Sequence, residues 1–102
     1  MPLKTTLFDV ADYLTTEEDI KAYLDEALAS GDSRLVAAAL GDVARAKGMT
    51  KIAEETGLSR ESLYKSLSDK GNPEFGTVFK VLKALGYSLH TGDAVADIRE
   101  AS

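Results

Sequence analysis

The sequence predicts an all-α domain of five helices, followed by one short strand near the C-terminus. Three observations carry that prediction. Apolar residues recur at three- and four-residue steps in five separate stretches. Gly31, Gly48, Gly57 and Gly86 close four of those stretches, where a left-handed residue ends a helix. The segment "TGLS", 56–59, joins two short helices through one glycine.

Each element has its own local cause. Residues 1–14 read as extended or irregular. Thr16 is an N-cap, and Glu17, Glu18 and Asp19 suit a first turn because carboxylates favour the positive end of the helix dipole. Ile20, Tyr23, Leu24, Ala27 and Leu28 then form an apolar stripe that "ASGD" ends. A second helix starts after Asp32, with Leu35, Val36, Ala39, Leu40 and Val43 on one side. Gly41 costs that helix up to about 1 kcal/mol, yet the periodicity runs through it. A third helix covers about 50–56, with Ile52 and Ala53 inward. A fourth, capped by Ser59, covers about 60–69 and turns Leu63 and Leu67 inward. "DKGNP" is a loop. The fifth, about 74–85, is expected to bury Phe75, Val78, Phe79, Leu82 and Leu85. "YSLHT", 87–91, alternates weakly, as a strand does. A lone strand leaves its backbone unpaired, and the same strand from a second copy of the chain would pair it.

At 102 residues the chain is one domain by size. Apolar residues at 44 % and charged residues at 28 % describe a globular chain rather than a disordered one. With no cysteine, disulfides and thiolate metal sites are excluded. The start "MPLKTTLFDVADYL" has no long apolar run before an acidic residue, so neither a secretory signal nor a membrane span is expected, and the cytoplasm is the expected compartment. The net charge of -5 hides a division. Residues 1–31 form an acidic segment and helix, with seven acids against two bases. Residues 32–92, the candidate DNA-binding domain, hold nine bases against seven acids. Residues 93–102 form an acidic tail. Local field matters more than total charge, so the middle can face nucleic acid while the ends face something else.

Ile52, Ala53, Gly57, Leu58, Leu63 and Leu67 fit the inner side of a helix-turn-helix. A tight turn between two helices needs a residue that tolerates positive φ, which Gly57 supplies. Ala53, four residues before it, keeps the helices close, Leu58 plugs the turn, and Leu63 packs back on Ile52. If the second helix of the pair enters a major groove, Ser59, Arg60 and Glu61 stand at its reading end, with Tyr64 and Lys65 one turn on. Arg60 suits guanine, Lys65 guanine or phosphate, and Glu61 cytosine N4 or the orientation of Arg60. Thr50 and Lys51 open the first helix, where free N–H groups and a cation hold phosphate. Lys70 and Asn72 flank the far end.

Each feature has a plainer reading. Gly57 with Ala53 also suits an ordinary connection in a helical bundle. Arg60, Glu61 and Lys65 also suit a solvated face, with a Glu61–Lys65 pair worth only about 0.2–0.5 kcal/mol. Tyr64 also suits half-buried packing, and Thr50 and Lys51 a cap and a surface charge. His90 has no second imidazole or thiol to share a metal with, and reads as a strand or surface residue. The carboxylates of 17–26 have the spacing of exposed helical turns rather than of a catalytic pair. No cofactor, metal site or enzymatic activity is expected.

Residues 48–89, "GMTKIAEETGLSRESLYKSLSDKGNPEFGTVFKVLKALGYSL", resemble the phage-repressor-like helix-turn-helix domain. More narrowly, the chain is similar to the probable addiction-module antidote family, HigA-like antitoxins paired with small RelE/HigB-like toxins. The opening "LFDVADYLTTEEDIKAYLDEAL", 7–28, and the middle "DSRLVAAALGDVARAKGMTKIAEETGLSRESLYKSLS" fit the same family. The broader motif has an aliphatic residue three positions after Leu63. Here Ser66 holds that place and Leu67 comes next. The resemblance implies an antitoxin that binds and silences a small basic toxin. It also implies a homodimer that binds double-stranded operator DNA and represses its own operon. Asp9, Asp12, Glu17, Glu18 and Asp19 are then the candidate toxin contacts, since opposite fields speed and orient encounter. A regulator without a toxin, and an interaction module without DNA binding, remain alternatives.

Overall fold

The computed structural model describes residues 9–93, and its regular elements are helical throughout. A short 3-10 turn (Val10–Tyr13) precedes five α-helices: α1 (Glu17–Ser30), α2 (Ser33–Lys47), α3 (Met49–Thr56), α4 (Arg60–Ser66) and α5 (Phe75–Leu85). The expected opening over residues 1–8 and the acidic tail from residue 94 lie outside the described residues.

The caps are the ones the sequence names. Thr16 Oγ1 accepts from Asp19 N at 3.0 Å, and Asp32 Oδ1 accepts from Arg34 N at 2.9 Å. Each oxygen satisfies a donor that the helix itself leaves free. Gly31, with φ 74°, reverses the chain so that α1 runs back along α2. Tyr23 and Asp42 then meet, as do Glu17 and Lys47.

α2 is the centre of the molecule. The 3-10 turn, α1, α3, α4 and α5 all pack on it. Leu40 and Val43 of α2, Ile52 of α3, Leu63 of α4 and Val81 of α5 are each no more than 1 % exposed. Burying a side chain of this size stabilises a fold by about 1.5–3 kcal/mol. Gly41 has a packing reason that the periodicity alone does not show. A Cβ at that position would lie 2.1 Å from the carbonyl oxygen of Leu67. The end of α4 is therefore seated directly on the backbone of α2.

Four expectations are corrected. Phe75 and Phe79 are 67 % and 48 % exposed, because only the Val78, Val81, Leu82 and Leu85 side of α5 meets the core. Leu35 is 52 % exposed, since it borders an open hollow with Tyr23, Ala27 and Ser30 of α1 rather than entering the core. α4 stops at Ser66 rather than near 69. Leu67 leaves helical geometry (φ -96°, ψ 62°), and this turn carries its side chain into the core at 3 % exposure. Gly71 then passes so close to α4 that a Cβ would lie 2.2 Å from the Ser66 oxygen. Finally, residues 87–91 form no strand in the single chain. Tyr87 instead donates its backbone N–H to Leu82 O at 2.9 Å, and its hydroxyl donates to Glu17 Oε1 at 2.5 Å.

Candidate nucleic-acid interface

α3 and α4 are joined by three residues, Gly57, Leu58 and Ser59. Gly57 has φ 76° and ψ 11°, and its N–H closes α3 on Ala53 O at 3.0 Å. A Cβ there would touch nothing within 4 Å, so the backbone angle rather than crowding requires glycine. Ile52 and Leu63 are fully buried, Leu67 nearly so, and Ala53 and Leu58 are half-buried against the same core. Five of the six residues named for the inner side thus share one cluster, and Gly57 lies exposed at the turn between them.

Thr56 was not legible as part of this turn. Its hydroxyl donates to Ile52 O at 2.8 Å and accepts from Leu58 N at 3.3 Å. A buried hydroxyl therefore holds the backbone on both sides of Gly57, and satisfies an N–H that α3 cannot reach. A threonine just before the closing glycine is the signal that could have found it.

Ser59 Oγ caps α4 by accepting from Ser62 N at 3.0 Å. Arg60, Glu61, Tyr64 and Lys65 all point outward. The Arg60 guanidinium lies over the Tyr64 ring, 5.9 Å from its centroid, and Tyr64 is 43 % exposed. Tyr64 is thus partly covered, with its exposed face towards Arg60. Glu61 and Lys65 form no ion pair with each other. Among the described residues, ion pairs occur only at Arg45–Asp9, Arg45–Asp42 and Lys47–Glu17. Lys51, Arg60, Lys65 and Lys70 are therefore exposed cations with no carboxylate partner.

Beside α4 lies a cleft of about 440 Å³, lined in part by Ser62, Lys65, Lys70, Asn72 and Thr77. The structure so brings Lys65, Lys70 and Asn72 to one hollow. Thr50 and Lys51 are exposed on the first turn of α3, which begins at Gly48 with no side-chain cap. Thr50 is not a cap, and the first N–H groups of α3 keep their donors for another acceptor.

The acidic side divides in two. Asp9 caps the 3-10 turn through Ala11 N and accepts from Arg45 Nη2 at 2.8 Å. The Arg45 hydrogen bond, seconded by Ala11 N, holds its carboxyl below the ordinary carboxylate range. Glu17 is taken by Lys47 and by the Tyr87 hydroxyl. These two candidate toxin contacts already serve the fold. Asp12, Glu18 and Asp19 are exposed with unpaired side chains. The Tyr23 hydroxyl donates to Asp42 Oδ2 at 2.5 Å, and burial first, then Asp42, push the phenol up to about 12. His90 is exposed, with Ser88 Oγ 3.1 Å from its Nε2. No helix among the described residues is long and apolar enough to cross a membrane.

A protein of Haemophilus influenzae with no recorded function is 56 % identical to the chain over 78 residues, which is 76 % of this chain and 80 % of that protein. No solved structure matches. The family model described as "Probable addiction module antidote protein" matches residues 4–93, and the chain belongs to that family.

Proposed function

We propose that the protein is the antitoxin of a type II toxin–antitoxin pair. In this reading it neutralises a small basic RelE/HigB-like toxin and, as a homodimer, binds operator DNA to repress its own operon. It is a cytoplasmic binding protein with no enzymatic activity and no cofactor. The observation that carries the DNA half is the row of unpaired cations Arg60, Lys65 and Lys70 on and after α4, a helix fixed to α3 through Gly57. We read α3–Gly57–α4 as a phage-repressor-like helix-turn-helix, with α4 in the major groove. Arg60, held by Tyr64, reads a base. Ser59 and Glu61 stand beside it at the reading end. Lys65, Lys70 and Asn72 hold phosphate at the cleft, and Thr50 and Lys51 hold phosphate at the start of α3.

The test is a gel shift of the full chain with the region upstream of its own gene. Arg60→Ala is expected to weaken binding by about 5- to 150-fold, the loss of one bidentate base contact. Lys65→Ala is expected to weaken it on any sequence and to flatten its salt dependence. Both side chains are exposed, so helicity should not change. Unchanged affinity in both variants would remove α4 as the reading element.

The toxin half rests on membership of an antidote family and on the free acids Asp12, Glu18 and Asp19. Reversing all three to lysine is expected to abolish co-purification with the product of the reading frame that abuts its gene. Retained capture would move the toxin surface elsewhere. Asp9 and Glu17 are poor choices for that experiment, because changing them also cuts the ties to Arg45 and Lys47.

A further inference from the structure

Surface acids steer and orient a basic partner, but tight protein contacts centre on an apolar anchor seated in a hollow. The α1–α2 pair carries such a hollow. It measures about 310 Å³ and is lined by Tyr23, Glu26, Ala27 and Ser30 of α1 and by Leu35 and Ala39 of α2. The turn at Gly31 lays the two helices side by side, and the small side chains of Ala27, Ser30 and Ala39 leave the space open. Tyr23 is a fixed wall, because its hydroxyl donates to Asp42 Oδ2. Leu35, 52 % exposed, forms the α2 edge. An exposed leucine alone says nothing, but one that edges a concavity leaves room for another apolar side chain beside it.

The charges around the hollow select what enters it. Glu26 is exposed in the lining and is in none of the ion pairs of the described residues. Asp19 is exposed one turn before Tyr23, on the same side of α1. From Tyr23 a chain of hydrogen bonds runs through Asp42 and Arg45 to Asp9, at the start of the 3-10 turn that carries the exposed Asp12. Arg45 is already neutralised by Asp9 and Asp42, and Arg34, next to Leu35 in the chain, does not line the hollow. An apolar space therefore has a carboxylate rim. A second copy would set Glu26 and Asp19 against their own kind. The chain's own last residues, 94–102, hold two acids and one base. Neither complements the rim, whereas a cation-rich protein does.

We infer that this hollow is the docking point for the toxin. An apolar side chain of the toxin enters beside Leu35 and Tyr23, and a neighbouring lysine or arginine of the toxin meets Glu26 and Asp19. The contact rests on the toxin reading above and adds to it an anchor that Asp12, Glu18 and Asp19 alone would not require. It leaves α4 clear, since the end of α4 is seated on α2 at Gly41, which does not line the hollow.

The experiment titrates the full chain with the purified product of the reading frame that abuts its gene, by calorimetry at low and high salt. Leu35→Glu separates an anchor from simple charge attraction. It offers a basic partner one more carboxylate, so charge alone would keep or tighten binding, whereas loss of the anchor should weaken it by about tenfold or more. Leu35→Met, which keeps an apolar chain of similar size, should restore most of the affinity. Glu26→Lys should weaken binding and flatten its salt dependence. Positions 26 and 35 are exposed, so helicity and thermal midpoint should match wild type. Leu35→Glu at or above wild-type affinity would overturn the inference. So would dissociation of a wild-type dimer by the same variant, which would give the hollow to a second copy. If affinity survives Leu35→Glu but falls when Asp12→Lys, Glu18→Lys and Asp19→Lys are combined, the toxin reading stands without this contact. A wild type that binds no such product would sink both.

Discussion

Gly41→Ala is expected to destabilise the domain by about 1–3 kcal/mol, although alanine is the better helix former by up to about 1 kcal/mol. The reason is the 2.1 Å that would separate the new Cβ from the Leu67 carbonyl oxygen. The neighbour is backbone, not the end of a flexible chain, so either α2 or the end of α4 must move. Because Leu67 is itself buried, the shift cannot be absorbed at the surface. Thermal or urea unfolding followed by circular dichroism gives the measurement. A midpoint equal to or above wild type would mean that the α4 terminus slides freely on α2. If α4 reads DNA as proposed, the same variant should also weaken operator binding even where it remains folded, because α4 would be displaced.

Leu63→Ala is expected to cost more, about 2–5 kcal/mol. Leu63 is fully buried on a helix of seven residues, and it joins the cluster built from α2, α3 and α5. A helix that short has little stability of its own and depends on what it packs against. Native domains are typically stable by only about 5–15 kcal/mol, so a loss of this size is a large share of the total. Urea unfolding should show a lower midpoint with a nearly unchanged slope. A loss below about 1 kcal/mol would mean that α4 is held by something other than this side chain.

Much of this architecture was legible because the signals were local. Thr16, Asp32 and Ser59 were recognisable as caps from residue type and position, and each makes the hydrogen bond expected of it. Gly31, Gly57 and Gly86 were recognisable as helix ends, and each adopts positive φ. What the sequence could not reveal depends on which side of a helix finds a neighbour. Phe75 and Val78 sit in one apolar run, yet only one of them is covered, because α5 has core on one side only. The charges show the same limit. Arg45 and Lys47 count among the cations of the middle segment, but they face Asp9 and Glu17 across thirty or more residues. Spacing gives no hint of such distant pairs. Arg60 lying over Tyr64 was within reach of the sequence, since residues four apart on a helix are neighbours.

Gly41 and Asp42 are successive residues of one rod, and they serve opposite flanks of the molecule. Gly41 carries the end of α4, while Asp42 holds Tyr23 of α1 and Arg45. Dense interiors transmit strain instead of absorbing it, so α2 is a party wall between two rooms. A substitution on the α1 side that tilts α2 is therefore expected to shift the end of α4 as well. Substitutions on the two flanks of α2 are therefore expected to be coupled rather than additive in their effect on stability.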